Sequence, residues 1–138
     1  MAAYNKFQAF VENVAEKVHD LGADTLTVAL TNAANAPVAT NSILSNLTQI
    51  AYTNLSARTI TVTSSAQSTG TYSLVTTDKV LTASGGSVAA FRYPAIYNDT
   101  PTSPADPLIC WFDYGSDLTL ADTETFTLDF GSSLFTLN

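Results

Sequence analysis

The titratable side chains of this chain are few, and their spacing decides what chemistry they can support. A Ser-His-Asp relay needs a histidine, and His19 is the only one. It falls in the last turn of a helical pattern, where it favours the helix C-terminus electrostatically. No GxSxG or comparable nucleophile signature accompanies it. Cys110 is the only cysteine, so an internal disulfide is excluded. It stands among Ile109, Trp111 and Phe112 with no neighbouring cation, and reads as a small buried hydrophobe rather than a nucleophile. Asp113, Asp117, Asp122 and Glu124 fall in a short span without Lys or Arg. Calcium accepts oxygen ligands at irregular spacing, but no EF-hand or nonapeptide pattern is present. The plainer reading is solvated acids in turns and at strand edges. Asp99 and Asp113 flank two aromatic-rich strands and are the pair with the character of a glycoside-hydrolysing site. Tyr97 and Trp111 are the candidate ligand-stacking residues, with sugar binding without catalysis as the form they favour. The expectation is no catalytic residue, no cofactor and no metal.

These residues concentrate in FRYPAIYNDTPTSPADPLICWFDYG, residues 91–115, which also holds four of the five prolines. The stretch reads as two strands, VAAFRYPAIY and LICWFDYG, apolar on both faces and therefore central in a sheet. A proline-rich excursion joins them, and Arg92 is expected to pair with Asp113 across them. Pro94 donates no ladder bond, which places it at a bulge or an edge.

The rest of the chain follows two periods. Over residues 3–21, Tyr4, Phe7, Val11, Val14, Val18 and Leu21 step by three or four. This predicts an amphipathic helix ending at Gly22, with residues 1–22 forming a helix packed on or beside a β-module of residues 23–138. After Gly22 the period becomes two. DTLTVALTN, RTITVTSS and ETFTLDF alternate apolar residues with Thr, as half-buried antiparallel strands do. Further strands are expected at 48–54, 71–76, 79–83, 88–97, 108–114 and 133–137, separated by turn signals such as STG, SGG and FGSS. The fold class this implies is mainly β: an antiparallel β-sandwich or jelly roll with one N-terminal amphipathic α-helix. Residues 31–47 read as an uncharged loop with a short turn near Ile43–Leu47.

Composition narrows the partners. At 138 residues the chain makes one domain with a real core. Charged residues are only 12%, with Thr, Ser and Asn in their place. A surface of small uncharged polar groups dehydrates cheaply and suits docking between subunits. The net charge is −7 and no Lys or Arg follows Arg92. That argues against nucleic acid and against anionic membrane surfaces as partners. The opening MAAYNKFQAFVENVAEKV is not a secretion signal, because charges interrupt any apolar core.

The order of features resembles that of small virion structural proteins of tailed bacteriophages. The resemblance rests on NKFQAFVENVAEKVHDLGADTLTVALTN, SSAQSTGTYSL, TASGGSVAAFRYPAIYNDT and WFDYGSDLTLADTETFTLDF, and spans nearly the whole chain. It implies a non-enzymatic module, made in the host cytoplasm and carried on the capsid surface: a decoration (cement) protein that bridges capsid subunits. The implied partners are the major capsid protein and the chain itself, as a trimer. The same resemblance covers a tail tube, joining or tip subunit, and the aromatic strands leave a carbohydrate-binding receptor module open. The candidate partner-interface residues are Tyr4 and Phe7 at the N-terminus with Pro37, Val38 and Ile43 in the loop. Val11, Val14 and Val18 are expected to pack internally.

Overall fold

The period-two run LTVALT becomes the strand around which the molecule is organised. In the computed structural model, which describes residues 2–138, it forms β2 (Leu26–Thr31), the fourth strand of a five-stranded sheet. The order is β1 (Asn5–Lys6), β8 (Leu108–Trp111), β7 (Tyr93–Asn98), β2 and β3 (Thr59–Ile60). A second sheet orders β10 (Phe135–Leu137), β5 (Thr71–Thr76) and β4 (Val62–Ser68), and a third pairs β6 (Lys79–Thr82) with β9 (Thr125–Leu128). Every pairing is antiparallel. The fold is a β-sandwich with a single short helix among the described residues, as the alternation of apolar residues and Thr predicts.

The inner face of the large sheet carries Leu26, Val28, Leu30, Ile96 and Cys110. It packs on Leu74 and Phe135 of the second sheet and on Leu81 and Leu128 of the third. The outer face is covered too. Ala29, Ala95, Tyr97 and Leu108 form a smaller cluster with Phe7, and Leu44 and Leu47 close over it. Leu44 opens a one-turn 3-10 helix, Leu44–Asn46, in the loop that follows β2. Here the structure corrects the alternation reading of β2: Thr27 and Thr31 are as buried as the leucines. Strand periodicity distinguishes the two faces but cannot say whether a distant loop will cover the second one.

The helix is also shorter than its pattern. It spans only Ala9–Ala15. Asn5–Lys6 instead extends along the free edge of β8, with Asn5 opposite Trp111 and Lys6 opposite Cys110. At the other end Lys17 turns left-handed at φ 65° and breaks the helix well before Gly22. A seven-residue helix has little stability of its own, so pairing with an unsatisfied strand edge prevails over helical periodicity. The inward residue is then Phe10 at 1% exposure, while Val11 is 55% exposed.

Pro94 lies at neither an edge nor a bulge. It sits within β7, opposite Leu30. Leu30 turns its N–H to the Tyr52 hydroxyl and its carbonyl to Ile50, so β2 asks nothing of Pro94, whose own carbonyl accepts from Phe112 at 2.8 Å. The bulge falls later, between Ile96 and Tyr97, where β8 carries Ile109 as the extra residue. Residues 48–54, expected as a strand, are irregular; Tyr52 there supports the Arg58 guanidinium, 3.7 Å above its ring.

Candidate functional site

The two carboxylates weighed as a glycoside-hydrolysing pair, Asp99 and Asp113, are not brought together. Asp113 follows β8 and Asp99 follows β7, and the two strands are antiparallel. The acids therefore sit at opposite ends of a six-residue strand, roughly 20 Å apart at about 3.4 Å per residue. Glycosidase carboxylates lie within about 9.5 Å. Asp113 is held by Arg92 instead, as expected, through Nε at 2.8 Å and Nη2 at 3.0 Å. This fork, with the Gly115 amide, holds the Asp113 carboxyl below its ordinary value. Asp99 faces Asp106, a residue the sequence did not single out; partial burial and the neighbouring Asp99 push the Asp106 carboxyl up.

The acids considered for calcium are dispersed. Asp117 accepts the Ala33 N–H, Asp122 the Gly85 N–H and Glu124 the Ala121 N–H. Each ties down a turn, and among the described residues no three His, Cys, Asp or Glu side chains gather at one point.

His19 meets the β7 end rather than a helix terminus. Its Nδ1 is 3.0 Å from Asn98 Nδ2, which also donates to Asp24 Oδ2 at 2.6 Å. Asn98 is fully buried, so its amide joins the N-terminal segment to the sheet. An amide donor fixes Nδ1 as the acceptor and leaves the proton on Nε2, which is buried without a partner. Burial lowers the His19 pKa, opposed by Asp24. Cys110 is completely buried, and burial raises its thiol pKa.

Tyr97 and Trp111 share the outer face of the large sheet but make no open platform. Tyr97 is 5% exposed beneath the covering loop, and Trp111 is half-buried with its ring centroid 4.6 Å from that of Phe7. The interface candidates divide as well. Phe7 is wholly buried and Pro37 is buried, which removes both from any partner surface. Ile43 is half-buried in a bridge with Pro107. Val38 is 54% exposed, and Tyr4 is 37% exposed with its ring against Phe112 and Phe135.

The β4 edge is an open surface that alternation alone did not single out. β4 is a seven-residue edge strand whose residues after Val62 are all exposed. It joins β5 through Thr69 and Gly70, both at positive φ, a two-residue turn of type I′. Ser64, Ala66 and Ser68 lie opposite Val75, Ser73 and Thr71, forming an outer face of small side chains. No charged residue occurs from Thr59 to Thr77, and none from Thr25 to Ala57. Natural edge strands are ordinarily guarded by Lys, Pro or brevity; β4 has only the irregularity between Val62 and Ser64. The signal was in the sequence as a long charge-free run, but a run does not say which strand ends at an edge.

Comparison with protein-family models, with curated proteins and with solved structures finds no match to this chain.

Proposed function

We propose that this protein is a non-enzymatic structural protein of a tailed-phage virion, and within that class a capsid decoration protein that bridges subunits of the major capsid protein. The observation that carries the reading is the uncharged, unguarded β4–β5 hairpin. A face of Ser, Thr and Ala loses little hydration on docking, and the β4 edge offers free backbone groups to a neighbouring chain. Val38 adds a small apolar contact on the charge-free loop. The protein works by docking, without turnover. Each contact is modest, and repetition over symmetric sites makes it sufficient. Binding only the assembled shell then stabilises that shell by mass action. The assembly proposed with this reading is a trimer at a three-fold axis.

The experiment is the copy number per particle, by quantitative mass spectrometry of purified virions of the phage that encodes the chain. Hundreds of copies, with loss of shell heat stability when the gene is deleted, are expected. Absence from the particle overturns the reading. The length of the β4 edge favours one alternative, a tail tube or joining subunit built by edge-to-edge pairing into rings; a handful of copies, or rings formed by the purified protein, selects it.

A further inference from the structure

A second open edge lies in a different sheet and has a different chemistry. β9 is bonded to β6 alone. The Ala83 N–H donates to the Glu124 carbonyl, and Leu81 and Lys79 stand opposite Phe126 and Leu128. The bonded positions of this ladder therefore fall on residues 124, 126 and 128. Thr125 and Thr127 turn their N–H and C=O groups away from β6. They turn them into a groove. One part, about 450 Å³, is floored by Phe112, Tyr114, Phe126 and Phe130. The other, about 620 Å³, continues past Leu118 and Leu120. Tyr114, Phe126 and Thr127 border both parts, so the two adjoin along the strand.

The rim is acidic. Asp113 and Asp129 line the first part and Glu124 the second, and among the described residues no Lys or Arg lines either. Arg92 neutralises Asp113. Glu124 and Asp129 accept backbone N–H groups, which fixes their positions and leaves their charge in place. A second copy of this chain would bring two acidic rims together, which is unfavourable. The groove calls for the opposite charge.

We propose that this groove is a docking slot for an extended cationic segment of a partner protein, which adds to β9 as a further strand. Its main chain bonds Thr125 and Thr127. Apolar side chains at alternate positions enter the aromatic floor, and flanking Lys or Arg residues meet the acids. The slot stands independently of the shell-docking hairpin, since the two lie on different strands of different sheets.

The test uses the full chain and a short capped peptide of alternating valine and threonine with lysines at both ends. A twin peptide carries glutamate in place of lysine. The lysine peptide is expected to bind on the order of tenfold tighter than its twin, and to weaken as salt rises. Binding should slow hydrogen exchange at the Thr125 and Thr127 amides. Thr127→Pro removes one groove-facing donor without touching a β6 bond, and should abolish binding while the far-UV spectrum is retained. Tyr114→Ala, outside β9, should weaken binding and covers the case in which the proline variant misfolds. Equal binding of the two peptides overturns the proposal. So do unprotected Thr125 and Thr127 amides, unchanged affinity in both variants, or no binding at millimolar peptide. Shell attachment by Thr127→Pro is read separately: its retention tells the slot apart from the hairpin.

Discussion

Phe7 joins the N-terminal segment to the sheet. It is fully buried against Trp111 and Leu108 at the edge where β1 pairs with β8. Phe7→Ala should cost about 3–5 kcal/mol, the range for deleting a buried aromatic, read as a drop in the urea midpoint at unchanged slope. A loss below about 1 kcal/mol would mean that the segment contributes little to the fold. His19 carries a pH dependence. Its folded pKa is lowered by burial, so as pH falls the unfolded chain takes up the proton first. Stability is full above the unfolded value of about 6.5 and is lost as pH drops from there towards the folded value. The groups facing it are Asn98, Asp24 and the Phe10 ring. His19→Gln should flatten the melting temperature between neutral pH and the onset of carboxylate titration. If the wild-type and variant profiles run parallel there, the His19 site is not the cause.

At the scale of elements the hairpin β4–β5 is the sharpest case. Ala66 lies exposed on its outer face, opposite Ser73. Ala66→Lys should change stability by no more than about 0.5 kcal/mol, as exposed substitutions do. It should nevertheless weaken attachment to particles by roughly tenfold, since a lysine on a docking edge must be dehydrated. Unchanged attachment in a pull-down with shells would move the contact to Val38 and its loop. The strands themselves were legible in the sequence: 71–76 in full, 79–82, 108–111 and 135–137 to within a few residues. Their local patterns and turn residues point the same way as their tertiary pairing. The N-terminal element was not legible, because Asn5–Lys6 takes its conformation from a strand edge more than 100 residues away. The Arg92–Asp113 pair followed from two strands read as neighbours. The burial of Tyr97 did not, since it depends on Leu44 and Leu47 folding over it. The β9 groove escaped notice because ETFTLDF reads as an ordinary half-buried strand, and only the sheet order reveals that one of its edges is free.

Taken whole, the molecule separates its surfaces by charge. Residues 25–77 hold one charged side chain, Arg58, whereas 113–129 hold five acids and no base. With a net charge of −7, self-repulsion opposes the folded state at low ionic strength. Raising salt to physiological strength, where the screening length is about 8 Å, should lift the melting temperature by roughly 2–4 °C, equivalent to about 1 kcal/mol. A fall would mean that favourable pairs such as Arg92–Asp113 outweigh the repulsion. The contact between Phe7 and Trp111 has a practical consequence. The chain has one tryptophan, and its indole rests on the segment that closes the sheet edge. The protein therefore carries its own optical gauge. Emission from Trp111 should shift to the red as β1 peels away, even while the core strands stay paired. A fluorescence transition that precedes the loss of far-UV signal on heating would time the release of the N-terminus without any attached dye.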